Sequence, residues 1–302
     1  MGSGRVTVCL VDAENEFQQV VRKDAETAAR QAGLEIETHW SGPKLSAQLA
    51  QVRELVDSPT PPSAILIMAV RDQGLGRIAE HAARAGIHWI FLNRSEDNIQ
   101  SLRVQHPALA ICQVYPDEVE TGRVQGALVS ALLPGGGKVL HVQGSMRSVA
   151  ARDRTAGTTE ALDSSRFKLV PLEAGWSEEE GYNALLGWLR VAVQANMRFD
   201  VVACHNDLLA RGARRALADI ARDLAKPELT AVPIVGCDGT PSVGQAMVKQ
   251  GEMAATVVLP RSSGPAVEIV GRALSGQGLP DAVITLHATP FPDPADLRPG
   301  QG

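Results

Sequence analysis

The chain has 302 residues, 44% of them hydrophobic and 21% charged, with a net charge of -5. That length suits two domains with well-buried cores, and the acidic balance argues against a nucleic-acid partner, whose surface requires clustered Lys and Arg. No run reaches the roughly 18 apolar residues of a membrane span, so direct membrane insertion is not expected.

The amino terminus, Met1-Gly-Ser-Gly-Arg-Val, enters the first predicted strand at once. It shows no charged n-region, apolar h-region or cleavage site of a secretory signal. Either the protein is not exported, or a signal has been removed.

Short Val/Ile/Leu-rich runs without polar alternation predict strands covered on both faces. They fall at 6–11, 34–40, 64–70, 88–92, 108–114, 138–142, 168–172, 200–204, 232–237, 254–259 and 282–286. Amphipathic helices are predicted at 17–32, 46–56, 76–85, 119–133, 152–163, 178–196, 208–224, 242–250 and 263–274. Several of them end at Gly (Gly33, Gly86, Gly251), as a left-handed helix terminus favours. Alternation of this kind implies α/β architecture with parallel strands and right-handed crossovers. Eleven strands are many for one twisted sheet, so two doubly wound sheets of five or six are expected. The four prolines of the segment from Pro290 to Pro299 predict an extended strap or loose tail and no helix.

In an open parallel sheet, ligands lie beyond the carboxyl ends of the strands. After the first strand come Asn15, a helix cap or a ligand donor, and Phe17, which either faces the crevice or staples the helix to the sheet. After the fourth come Asn93 and Arg94, an amide beside a guanidinium able to grip hydroxyls or a carboxylate. Arg154 is placed in the first turn of the helix after the sixth strand, where a cation opposes the macrodipole, so a ligand role is favoured. Trp176 sits in a loop, either covering core or offering a platform for a sugar ring. Asn206 ends the eighth strand and Asp238 the ninth; a carboxylate there requires ligand hydroxyls or an Arg such as Arg154 or Arg94.

Other chemistries fit poorly. Gly74-Leu-Gly-Arg-Ile-Ala79 matches G-x-G-x-x-A, but Arg71-Asp-Gln73 separates it from its strand. Gly135-Gly-Gly-Lys138 lacks the Ser or Thr of a phosphate-binding loop, and Gly144-Ser145 lacks a hydrolase elbow. The seven histidines form no metal-binding motif, so neither metal nor cofactor is expected. The four cysteines, Cys9, Cys112, Cys204 and Cys237, all lie in apolar strands and read as buried reduced thiols. Paired carboxylates of a glycosidase remain open, although Asn, Arg, an aromatic and one Asp suit holding a sugar better than cleaving it.

Four segments carry a family resemblance: Ala150-Ala-Arg-Asp-Arg154, His205-Asn-Asp-Leu-Leu-Ala-Arg-Gly-Ala213, Val235-Gly-Cys-Asp-Gly-Thr-Pro241 and Gly251-Glu-Met-Ala-Ala-Thr256. The chain resembles the type I periplasmic binding proteins, notably the ribose- and galactose-type sugar-binding proteins of ABC importers; the ligand cores of lac-repressor-type regulators are related. The resemblance implies two lobes, residues 1–114 plus 259–283 and 115–258 plus 284–302, joined by three crossing strands and closing on a ligand between them. It places ligand contacts on Asn15, Phe17, Asn93, Arg94, Arg154, Trp176, Asn206 and Asp238. It implies a non-enzymatic monomer that delivers a small sugar or sugar derivative to an ABC permease or a sensor protein, in the periplasm. The absent signal keeps a cytoplasmic sugar sensor without a DNA-binding headpiece as the alternative. Several positions depart from the family pattern. Gln18 replaces a second stacking aromatic, Asn93 replaces an Asp, Met68-Ala-Val70 lacks an amide and Val257-Val258 lacks a Gln. An acid lost while Arg94 and Arg154 remain predicts a larger or acidic sugar derivative, not plain ribose.

Overall fold

The computed structural model describes residues 4–93, 98–195 and 197–298. The chain divides into two compact units, Met1–Pro116 with Arg261–Leu286, and Asp117–Pro260 with His287–Gly302, so it passes from one to the other three times.

In the first unit β1 (Arg5–Leu10), α1 (Glu16–Ala32), β2 (Glu35–Trp40), α2 (Leu45–Val56), β3 (Ala64–Met68), α3 (Gly76–Arg84), β4 (His88–Leu92), α4 (Ile99–Gln105) and β5 (Ile111–Pro116) follow in order. The second unit opens with α5 (Glu118–Leu132), β6 (Gly137–Gln143), α6 (Val149–Ala161), β7 (Phe167–Glu173) and α7 (Glu178–Gln194). It continues through β8 (Val201–Cys204), α8 (Asp207–Asp223), β9 (Ile234–Asp238), α9 (Gly244–Lys249) and β10 (Ala255–Val258). Then α10 (Ser263–Leu274) and β11 (Val283–Leu286) return to the first unit, and β12 (Thr289–Phe291) to the second.

Each unit holds a six-stranded sheet, in the orders β11-β5-β4-β3-β1-β2 and β12-β10-β9-β8-β6-β7. The two orders match position for position, and each reverses direction at its first strand, between β1 and β3 and between β6 and β8. At such a switch point neighbouring crossovers diverge to opposite faces and open a crevice at the carboxyl ends. In-register pairing of Cys9 with Ile67, Ile67 with Phe91 and Phe91 with Gln113 brings the ends of β1, β3, β4 and β5 to one edge.

The central strands of the first unit are apolar on both faces, as a covered parallel sheet requires. Val6, Val8 and Leu10 pack with Leu66, Ile90 and Cys112 against α1 and α10. The intervening Cys9, Ile65, Ile67, Trp89 and Phe91 pack against α2, α3 and α4. In the second unit Leu140, Val142, Val202, Cys204 and Ile234 pack against α7, α8 and α9. The four cysteines are buried and free, and burial pushes the Cys9 and Cys112 thiols up to about 12.

Two details refine the expectations. The sheet of the second unit is not wholly parallel, because β12 pairs antiparallel with β10, Thr289 opposite Val258 and Phe291 opposite Thr256. Of the two forms expected for the segment from Pro290, the extended strap is the one met, up to residue 298. Its first residues form an edge strand, where the missing proline N–H is tolerated, and Pro294–Asp296 closes into a 3-10 turn. The short helix α4, which buries only Ile99 and Leu102, is one that periodicity does not predict.

Candidate functional site

In the second unit, Arg154, Trp176, Asn206 and Asp238 follow four adjacent strands, β6, β7, β8 and β9. Arg154 lies in the second turn of α6, not the first, since the helix already starts at Val149. Its macrodipole penalty is correspondingly small. The side chain is buried, and it is held at both ends. Nε and Nη2 donate to Glu118 Oε2 and Oε1 at 2.5 and 3.0 Å, and Nη1 donates to the His205 carbonyl. Close packing of α5 on α6 makes this reach possible. A Cβ on Gly122 would overlap the Arg154 carbonyl oxygen, and one on Gly157 would overlap that of Val119.

Burial works to lower the Arg154 pKa, but charge on Cys237, Glu118 and Asp238 more than offsets it and raises the pKa. Burial also holds the Cys237 thiol well above its ordinary value. Asp238 ends β9 with a φ of 105°, a left-handed backbone that a non-glycine residue adopts at a cost.

Trp176 is anchored through its backbone. Its N–H donates to Glu180 Oε2 at 3.0 Å and its carbonyl accepts from Asn206 Nδ2 at 3.0 Å. The indole stacks on His205, 6.2 Å between centroids at 30°, and the Arg154 guanidinium carbon lies 5.7 Å from the ring centroid. Asn206 caps α8, accepting the Leu209 N–H at 2.8 Å. His205 Nδ1 accepts the Gly144 N–H at 3.1 Å, which leaves the ring proton on Nε2. Its pKa is held well below the ordinary value by burial, with His141 and Arg154 adding to the effect.

In the first unit Asn15 is the cap of α1, its Oδ1 accepting the Gln18 N–H at 3.1 Å. Phe17, half-buried, packs on the core between α1 and the sheet. Asn93 follows β4 with a φ of 58°, and its Oδ1 accepts from Ser262 Oγ. Arg94 lies outside the described residues. Gln18 is a strand-end tie, its Oε1 accepting from Val11 N–H and Asp12 N–H at 2.8 and 3.1 Å. At the end of β3 an amide does occur, supplied by α2: Gln48 donates to the Met68 carbonyl and accepts from the Val70 N–H.

The profile of the periplasmic binding protein domain family matches residues 6–263. The chain belongs to this family. Among curated relatives, a Rhizobium meliloti protein named for rhizopine binding is 26% identical over 273 residues, 84% of this chain and 83% of the relative. The ribose import binding protein of Salmonella typhimurium is 26% identical over 280 residues, 92% of this chain and 87% of the relative. A periplasmic solute-binding protein of an ABC transporter from Actinobacillus succinogenes, solved with D-allose, superposes with a TM-score of 0.81 at 20% identity, covering 96% of this chain and 97% of that one. The expected ribose-type periplasmic binding protein fold is thereby met, in a family that binds solutes and is not enzymatic.

As in a periplasmic binding protein, the strand-end residues of each unit gather at one edge of its sheet. In the second unit all four predicted residues converge: Asn206 bonds to Trp176, and Arg154 interacts with both Trp176 and Asp238. In the first unit Asn15 and Asn93 follow β1 and β4, which flank β3. Sequence reasoning missed Glu118 and the supporting Asp207. The buried Asp207 carboxylate accepts from Gly239 N–H at 2.8 Å and Thr256 Oγ at 2.7 Å, tying β8 to the loop after β9 and to β10. An acid directly after Asn206 was a visible signal for Asp207; Glu118 had none, because its partner is 36 residues away. Pairing with Glu118 offsets the charge of Arg154, one of the two arginines behind the expectation of an acidic ligand; the other, Arg94, lies outside the described residues. Members of the family are periplasmic, and among the described residues no helix is long and apolar enough to cross a membrane.

Proposed function

We propose that the protein captures a small carbohydrate-like ligand with the strand-end residues of both units, closes on it by a hinge motion and delivers it to an ABC importer from the periplasm. The observation that carries this reading is the family match over residues 6–263, which spans the strand-end residues of both sheets. Ribose import and D-allose binding in the relatives point to a polyol of sugar size. The residues suit that chemistry. Asn15 and Asn93 offer amides, Trp176 an apolar ring face, and Arg154 and Asp238 a donor and an acceptor for neighbouring hydroxyls.

In this role Arg154 orients a hydroxyl, Asp238 accepts its proton side, and Trp176 covers the C–H face of the ring. Thermal unfolding against a panel of pentoses, hexoses and cyclitols tests the assignment. A binder at about a hundredfold over its dissociation constant stabilises by roughly 2.7 kcal/mol. Titration calorimetry is then expected to give one ligand per chain. No stabilisation by any member of the panel overturns the proposal.

A further inference from the structure

We infer that Glu118 sets the charge class of the ligand: by cancelling Arg154 it reserves the site for uncharged polyols and turns sugar acids away. This rests on the carbohydrate-binding reading above and adds the substrate class to it.

The pair is built to stay together. The side chains of Arg154 and Glu118 are only 6% and 10% exposed, and two parallel hydrogen bonds join them. Glu118 is the first residue of α5, where the helix amino end favours a carboxylate. The glycine contacts hold the backbones of α5 and α6, which carry the two side chains, close together. Separating such a pair would strand a buried charge.

Among the described residues, the guanidinium thus meets a carboxylate that is bonded to it directly. Arg154 contributes one positive charge and Glu118, bonded to it, one negative charge. Asp207, behind Asp238, is a further carboxylate, engaged by Gly239 and Thr256. The basic neighbour Arg152 is turned to loop carbonyls of Met146 and Arg147. A guanidinium has five N–H donors, of which Glu118 and His205 take three. A hydroxyl suits what remains, since it accepts from Arg154 while donating to a carboxylate. A ligand carboxylate has no proton to donate and meets like charge.

The test uses matched neutral and acid sugars: D-glucose with D-glucuronate, D-galactose with D-galacturonate, and D-ribose with D-ribonate. Affinities are compared for the wild type, Glu118→Gln and Glu120→Gln, the last removing an acid of the same helix that pairs with His287 instead. The wild type is expected to favour the neutral member of any pair it binds by at least tenfold. Glu118→Gln is expected to shrink that preference at least tenfold, and Glu120→Gln to keep it. Glu118→Asp, which retains the charge, is expected to keep the preference for the neutral sugar. A wild-type preference for the acid member overturns the inference, as does a ratio unchanged in Glu118→Gln. If Glu118→Gln does not melt cooperatively, the wild-type ratio and Glu118→Asp still decide. Failure of every sugar, neutral or acid, to bind would instead defeat the carbohydrate reading itself.

Discussion

Besides the His205 ring on which it stacks, three neighbours help to place Trp176. Asn206 holds its carbonyl, Glu180 holds its N–H, and Gly144 leaves the space its ring occupies. A methyl group on Gly144 would overlap the indole, so Gly144→Ala is expected to displace the ring. Tryptophan emission should shift in the unliganded protein, and ligand affinity should fall about tenfold, roughly 1.4 kcal/mol. Trp176→Ala should lose as much affinity with little change in unfolding midpoint, because the residue is only half-buried. Asp207 behaves differently. It is 2% exposed and satisfies a backbone N–H and the fully buried Thr256 hydroxyl. Asp207→Ala orphans both donors and should destabilise the protein by about 3 kcal/mol, measured by urea unfolding. An unchanged midpoint would mean that water replaces the carboxylate.

At the scale of elements, α5 and α6 show what the sequence conceals. Both helices were located in the sequence, although their apolar periodicity is weak, and their separation is decided by Gly122 and Gly157, whose missing side chains admit the neighbouring backbone. Gly157→Ala would overlap the Val119 carbonyl oxygen and should cost about 3 kcal/mol or more. Gly187, within α7, has open space around its Cβ position. There Gly187→Ala should stabilise by roughly 0.5–1 kcal/mol through helix propensity alone. Comparing the two unfolding midpoints separates packing from propensity; equal effects would refute the close helix contact. The same distinction explains the sequence reading. Of the eleven strands that patterning located, the central ones are buried on both faces, whereas β2, β7 and β11 carry exposed residues. By contrast, β12 has three residues with a proline at its centre, and only pairing with β10 makes it a strand. The capping role of Asn15 was readable from its place before a helix, whereas the bond from Ser262 to Asn93 spans 169 residues. The partner of Arg154 was hidden for the same reason.

Across the whole molecule, one strand order serves twice, and the second unit buries His141, Arg154, His205 and Asp207 near its strand ends. His141 and His205 meet edge to face, 4.7 Å between ring centroids. Both are almost wholly buried. Burial lowers the His141 pKa from 6.5 to about 4, and His205 is depressed in the same sense. Native imidazoles therefore stay neutral at pH values where the unfolded chain takes up protons. Because the folded pKa lies below the unfolded one, stability is fully present above pH 6.5 and is lost as pH falls from there towards 4. At pH 5 His141 alone should account for about 2 kcal/mol of that loss. Urea unfolding at pH 7 and pH 5 measures it, and His141→Gln should flatten the dependence by a similar amount even if it lowers stability at pH 7. The asymmetry belongs to the second unit, since among the described residues the one buried histidine of the first with a lowered pKa, His88, is less enclosed and accepts the Ala110 N–H through Nδ1. A His141→Gln protein as sensitive to acid as the wild type would place the proton uptake elsewhere in the chain.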